Sequence, residues 1–433
     1  MSKPTRRFFL GVAGGAAVVG VLHAATGDPE PVRVAVIGTG ARGSDLTRAL
    51  TTIDGADVAG VCDDYPPHLE QGAKYAGAGA KPFADYKVML DKLKPQAVVI
   101  AVPLALHYRI ASDALAAGCD VFLEKTMCFT IDEARRLAKQ AAESKRVFQV
   151  GLQRRANAIY KQAIAMVEAG LIGQVTAIEA RWHRNNSWRR PIPVPKTDPE
   201  WATLERRLNW RLYRTTSGGL MTELGGHQLD VANWVLGTTP KRVIASGGID
   251  YWRDGREVFD NIFCVYEYEI AAPSLGRTEP SAAKPKPYTV RVTYSSLCNN
   301  AYEGASELIL GTKGSLFLTT GKGLFFQEPD AVKVDWAGDK SGAAAQAAVV
   351  TAGKTLKLAN DPWARRGKPT EIDVAEGGDD TRDELASFLD HVRRRDLETL
   401  VDARAALRNA ATVLIANQAA ETGQGVEFPK DID

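Results

Sequence analysis

Lys125 and His227 are the side chains of this sequence best suited to moving a proton. A lysine can do so once desolvation or a neighbouring cation lowers its pKa, and a histidine can do so near neutral pH with little tuning. Lys125 stands in the string Glu124-Lys125-Thr126, and His227 in GGLMTELGGHQLD, which also holds Glu223 and Asp230. A third string, Ala101-Val102-Pro103, is followed closely by His107. Oxidising a hydroxyl needs a base for its proton while a hydride departs, and the reverse reaction needs an acid. Each residue also has a plainer use. Lys125 can pair with Glu124, His227 can be a hydrogen-bonded core histidine, and His107 can orient a cofactor edge or merely cap a helix.

The elements around these strings say what they would act on. Residues 31–37, PVRVAVI, form an apolar, β-branched run suited to a strand buried on both faces. The run enters Gly38-Thr39-Gly40-Ala41-Arg42-Gly43, and a helical stretch follows. This is GxGxxG in a strand–turn–helix setting. Gly38 makes the tight turn, Gly40 admits a pyrophosphate to the backbone, and Gly43 lets helix pack on strand. A second strand over 56–62 ends at Asp63, twenty residues past Gly43, where a carboxylate would bond the ribose hydroxyls and favour NAD over NADP. Asp63 can also cap the turn that follows it, and Arg42 is placed to accommodate a 2′-phosphate. Strands over 96–102, 120–123 and 146–150 alternate with helices over 107–117 and 131–143. That alternation predicts a doubly wound parallel Rossmann sheet. Ligands of such sheets lie at strand carboxyl ends, so Pro103, His107, Glu124 and Lys125 fall beside the nicotinamide.

Taken together, the GxGxxG turn, the Glu124-Lys125 pair and the Glu223–His227 string resemble the Gfo/Idh/MocA oxidoreductases, from about Val32 to the C-terminus and most strongly from Val34 to Gly237. The resemblance implies that Lys125 is the family's lysine near the reactive centre and His227 its substrate-binding or acid–base histidine. Glu223 takes the place of an aspartate, one methylene longer. Thr126 replaces a proline with a cis-prone bond, which leaves the form of that turn open.

From residue 151 the pattern changes. A helix is expected from Gln153 to about Glu168, then strands over 174–182, 241–249, 261–270, 288–295, 307–311 and 315–318, with few helices between them. This is an α+β domain with a large, mainly antiparallel open sheet, through which the chain is expected to form a homo-oligomer. Loops are expected over 271–287 and 339–353, and helices over 381–391 and 403–422 that return to the first domain. The segment 181–190, RWHRNNSWRR, mixes donors with aromatic platforms, as pockets for sugars do. With Arg154, Arg155, Tyr160 and Asp230, its His183 and Trp188 are candidate sugar contacts. A solvated loop that anchors an oligomer interface is the alternative.

Residues 1–30 read as an export signal. Arg6-Arg7-Phe8-Phe9-Leu10 leads into an uncharged Gly/Ala/Val stretch too short to span a membrane comfortably, resembling a twin-arginine leader. The expected organisation is thus 1–30 signal, 31–150 NAD-binding domain and 151–433 substrate domain. The net charge of +2 gives no basic face for nucleic acid. Five cysteines without a CxxC pair give neither a disulfide framework nor a zinc site, so no metal is expected. No HExxH, GxSxG or P-loop is present. The reading is an NAD-dependent oxidoreductase acting on a sugar or glycoside, exported by the twin-arginine machinery to the periplasm. NAD should be held tightly and recycled within each turnover, since no free pool is expected there. Two alternatives stand beside it: an NAD-dependent glycosidase using Glu223, His183 or Tyr160 as second acid or base, and a non-catalytic NAD- or carbohydrate-binding protein.

Overall fold

A computed structural model describes residues 31–271, 287–328, 369–374 and 378–432. The signal segment 1–30, nearly all of the 271–287 loop and the 339–353 stretch lie outside the described residues.

The apolar run at the start becomes β1 (Val32–Ile37), in which every residue but Arg33 is buried. It is flanked by β2 (Ala56–Cys62) and β4 (Ala97–Ile100), both parallel to it. With β3 (Lys81–Phe83), β5 (Asp120–Glu124) and β6 (Phe148–Gly151), the order is β3-β2-β1-β4-β5-β6. The chain runs outward one way from β1 and then, from β4, the other way. That reversal opens a crevice at the carboxyl ends of β1 and β4, where helices leave on opposite faces. Helices α1 (Ala41–Leu50), α2 (Pro66–Ala76), α3 (Tyr86–Leu93), α4 (His107–Ala116) and α5 (Ile131–Ser144) form the crossovers. A Thr130/Glu133 capping box starts α5, and Asp85 caps α3 through two backbone N–H groups.

Beyond β6 the chain makes a single 3-10 turn at Gln153–Arg155 before α6 (Ala158–Glu168). The helix expected from Gln153 is therefore split, because the Asn157 side chain accepts from the N–H groups of Ile159 and Tyr160 and fixes a new start there. The second sheet has nine strands, in the order β14-β13-β12-β11-β7-β10-β9-β8-β15. They are β7 (Val175–Asn185), β8 (Arg242–Gly248), β9 (Asn261–Ile270), β10 (Tyr288–Leu297), β11 (Asn299–Gly311), β12 (Gly314–Thr319), β13 (Lys322–Gln327), β14 (Thr370–Glu371) and β15 (Val426–Glu427). Only β7 and β10 run parallel. One face is buried: Ile178, Tyr266, Tyr268, Val292 and Tyr294 pack in one cluster with α6 and with α8 (Gly226–Leu236). The other face leaves Ile244, Phe263 and Val265 exposed. Between β7 and α8 lies an excursion, 186–213, that contains the helix α7 (Trp201–Leu208).

The C-terminal chain joins the two sheets. The helix Ala403–Thr422 touches α5, α8 and β8. The helix Asp380–Arg394 lays Leu385, Phe388, Leu389 and Val392 in one cluster with Val34, Val36 and Phe122 of the first sheet. The rings of Phe122 and Phe388 meet edge-on, with centroids 5.7 Å apart. Burying such a ring stabilises by several kcal/mol. Phe388→Ala should therefore cost about 3–5 kcal/mol in urea unfolding; an unchanged midpoint would show that this helix does not hold the first sheet.

Candidate active site

The crevice at the strand ends continues between the two sheets as a cleft of about 710 Å³. Its floor is the glycine turn, and three bare positions there have different causes. A Cβ on Gly38, whose φ is +85°, would lie 2.5 Å from the Ala101 carbonyl oxygen, and one on Gly43 would lie 1.8 Å from that of Gly38. These two glycines serve the chain itself. A Cβ on Gly40 would meet only the His68 ring, at 3.6 Å, which is an ordinary contact. Gly40 thus leaves free space toward the cleft at the N-terminus of α1, where no side chain caps the first amides. Space, free N–H groups and the helix dipole at one point suit a diphosphate.

Asp63 lines the same cleft. One carboxylate oxygen accepts from the Thr39 N–H at 2.8 Å, the other from the Tyr65 N–H at 2.9 Å. It caps the turn, and lone pairs remain with which it could accept from a ribose hydroxyl. Arg42 has a different job from the one expected. Its Nε donates to Glu124 at 2.6 Å, and its Nη atoms donate to Thr381 at 2.9 Å and Glu384 at 3.0 Å. The guanidinium is spent tying the glycine turn and the end of β5 to the Asp380–Arg394 helix, which removes it as a 2′-phosphate ligand. These residues fit NAD.

At the other end of the cleft, Glu124-Lys125-Thr126 is bound to the Thr222–Glu223 turn. Lys125 Nζ donates to the Glu223 carbonyl at 2.6 Å, and Thr126 Oγ1 to the Thr222 carbonyl at 2.9 Å. The Lys125–Thr126 peptide is cis. Burial lowers the Lys125 pKa, opposed by the charges of Glu223 and Glu124. His227, on the first turn of α8, is buried, and its Nδ1 has no hydrogen-bond partner. Burial and then the charge of Lys125 hold its pKa well below the usual histidine value. Glu223 accepts from Arg211 Nε at 2.9 Å and from the Ser217 hydroxyl at 3.3 Å. His107 sets both ring nitrogens against carbonyls, of Thr126 at 2.8 Å and Val102 at 3.0 Å, and so props the Lys125 turn from behind.

Gly38, Gly40, Arg42, Asp63, Pro103, His107, Glu124, Lys125, Glu223, His227 and Trp188 all line this cleft. Other expected sugar contacts lie elsewhere. Arg154 and Tyr160 are buried with Glu307: Tyr160 donates to Glu307 at 2.6 Å, and Arg154 Nε lies 3.1 Å from it. Arg155 forms a two-pronged pair with Asp230, at 2.8 and 2.9 Å. These pairs lash the β6 exit to β11 and α8, so they orient the helix bearing His227 and do not face a sugar. His183 is bonded to the Tyr302 carbonyl at 3.0 Å and Ser295 Oγ at 2.9 Å on the second sheet, outside the cleft. Sequence reasoning missed Arg211 and Trp210, which line the cleft from the excursion beside Arg190, the last residue of the 181–190 segment. An arginine beside a tryptophan at 210–211 was the available signal, and no periodicity marks it.

Residues 32–152 match the family profile described as "Oxidoreductase family, NAD-binding Rossmann fold", and residues 164–428 its "C-terminal alpha/beta domain", the two parts of Gfo/Idh/MocA. An inositol 2-dehydrogenase of Salmonella typhimurium is 28% identical over 214 residues, 49% of this chain and 56% of that one. The chain thus spans little more than half the length of the inositol dehydrogenases it matches. A D-glucoside 3-dehydrogenase of Escherichia coli is 25% identical over 403 residues, 92% of this chain and 98% of its own. In fold, the chain resembles levoglucosan dehydrogenase in complex with NADH and levoglucosan, with a TM-score of 0.68 at 16% identity over 93% and 100% of the two chains. It also resembles the WlbA dehydrogenase of Bordetella pertussis with NADH and UDP-GlcNAcA, at 0.66 and 19% over 92% and 98%.

The state of His227 has a consequence for stability. Neutral in the folded chain, it takes up a proton only in the unfolded one as pH falls below about 6.5. The unfolded state then binds more protons, so the folded chain loses stability below that pH, by up to about 1.4 kcal/mol per pH unit for this imidazole. Between pH 7.5 and 5.5, urea unfolding of His227→Gln should change less than that of the natural chain. Parallel behaviour would mean that His227 titrates normally.

Proposed function

The chain belongs to the NAD-binding Gfo/Idh/MocA oxidoreductase family, and we propose that it oxidises a hydroxyl of a sugar or glycoside with NAD. The observation that carries this is the partly buried Lys125 ammonium at the seam of the cleft, whose Nζ donates to the Glu223 carbonyl oxygen at 2.6 Å. NAD, when bound, supplies the hydride acceptor. Lys125 supplies the base: burial lowers its pKa and brings its neutral amine within easier reach. As the hydride leaves the carbon, Nζ takes the hydroxyl proton, and the alcohol becomes a carbonyl. His227 is neutral, and its ring borders the cleft, where it can bond a substrate hydroxyl. Glu223, held by Arg211, fixes that wall and can accept from a second hydroxyl. Trp188 and Trp210 give the cleft flat apolar surfaces of the kind that sugar C–H faces cover.

The hydrolytic cycle needs a further acid–base group. Of the three candidates, Tyr160 is enclosed by Arg154 and Glu307, and His183 sits outside the cleft, which leaves Glu223. The geometry therefore favours oxidation. Export with NAD aboard is supported by the Arg6-Arg7 leader, and in-cycle recycling of NAD follows from export. Association of copies through the open sheet is supported by the exposed Ile244, Phe263 and Val265.

Lys125→Met tests the central role. It should leave NADH binding intact while the single-turnover oxidation rate falls on the order of 10²–10⁴-fold. The natural rate should climb with pH and level off below the ordinary lysine range, and the variant should lose that dependence. Unchanged rates would take Lys125 out of the chemistry.

A further inference from the structure

The excursion 186–213 walls the cleft opposite the glycine turn, through Trp188, Arg190, Arg207, Trp210 and Arg211. It is firmly built. The Glu205 carboxylate accepts from Arg189, from Asn209 Nδ2 at 2.8 Å and from the Tyr213 hydroxyl at 2.7 Å. Arg189 also reaches Asp254 at 3.2 Å. Across the cleft, Arg207 donates to the Asp64 carbonyl at 3.0 Å and lies 5.9 Å from the Tyr65 ring centroid. The excursion therefore bridges from the second sheet to the loop that follows Asp63.

Arg190 occupies the middle of this wall. Its backbone is clamped by Asn209 on both sides, N–H to Oδ1 at 2.6 Å and carbonyl from Nδ2 at 3.1 Å. Its guanidinium lines the cleft and makes no hydrogen bond or ion pair among the described residues. Arg42, Arg155, Arg189 and Arg211 each face a carboxylate. Arg190 is exposed to the cleft, and its charge acts on two groups nearby: His68, which borders the open side of Gly40, and Arg211, which holds Glu223. Partial desolvation against the wall and then the Arg211 charge lower its pKa.

We propose that Arg190 is the second domain's counter-cation for the diphosphate of the dinucleotide, closing on it from the wall opposite the Gly38–Gly43 turn, with the Arg207–Asp64 contact as its latch. The inference rests on the NAD-dependent reading above. Arg190 is clamped to Asn209, two residues beyond the Arg207 that donates to Asp64, in the same cleft that Gly40 and His68 line, and this placement favours the diphosphate over a substrate anion. The uncapped N-terminus of α1 offers amides from one side, and this guanidinium supplies full charge from the other. Release of the cofactor then requires breaking a charge pair and unlatching the excursion, which makes a retained cofactor a property of the fold.

Binding measurements on the full chain, stripped of nucleotide, test this without turnover. Calorimetric titration of Arg190→Gln should weaken ADP-ribose and NADH on the order of tenfold to a hundredfold, leave adenosine unchanged, and give a shallower loss of affinity with salt. Arg190→Lys should recover part of the loss. Arg207→Gln should speed NADH release in a fluorescence chase while thermal unfolding stays unchanged. If Arg190→Gln binds ADP-ribose as the natural chain does, the proposal is overturned. Weakened binding of an anionic sugar alone would reassign Arg190 to the substrate and overturn it equally. A natural chain that binds neither ADP-ribose nor NADH would overturn the NAD-dependent reading as well.

Discussion

The seam between two turns governs this molecule's chemistry. Lys125 and Thr126, at the end of β5, donate to the carbonyls of Glu223 and Thr222, at the entry to α8. Burying an ammonium group costs several kcal/mol unless it is hydrogen-bonded and balanced by nearby charge. Here the Glu223 carbonyl supplies the bond, and the Glu223 and Glu124 carboxylates supply the balance. One consequence is a lysine whose proton is more easily lost than usual. A second is registration of the two sheets at the cleft, where the proposed reaction would bring a dinucleotide and a hydroxyl together. His107, wedged behind the turn, and Arg42, tying Glu124 to the last part of the chain, keep that seam in place.

Arginine is the main positioning residue throughout. Arg154 and Arg155, adjacent in sequence, point into different pairs: one is buried with Glu307 and Tyr160, the other clasps Asp230 on α8. Arg42 joins three elements with one guanidinium. Planar forks with several donors suit such junctions better than an ammonium does. Removing a partner from any of these pairs leaves an uncompensated buried charge, so their role in catalysis is exerted through the placement of α8 and β5.

Features written over short stretches of chain were legible in the sequence. A buried strand, a glycine turn and a helix follow one another within twenty residues, and each glycine's reason is local apart from the open side of Gly40. The placement of Lys125 in the cleft was legible because strand carboxyl ends are where parallel sheets bind ligands. The destinations of Arg154, Tyr160 and His183 were not. Glu307, the partner of Tyr160, lies 147 residues away, and Ser295, a partner of His183, 112. A polar–aromatic segment looks the same whether it faces a sugar or pairs inside a sheet. Arg42 misled for the same reason: its partners Thr381 and Glu384 come from the other end of the chain. Arg190 was not singled out within the 181–190 segment because nothing local distinguishes an arginine that lacks a partner.

The most direct test of the account joins the cofactor site to the lysine in one observation. Full-length protein loaded with NAD and freed of excess nucleotide would be mixed with methyl glucosides and their parent sugars, and absorbance followed at about 340 nm. The account predicts a single burst of NADH, no larger than one equivalent per chain, that appears with the natural protein and is absent from Lys125→Met carrying the same load of NAD. A chain that cannot be loaded, or a burst that survives loss of the lysine, would contradict it.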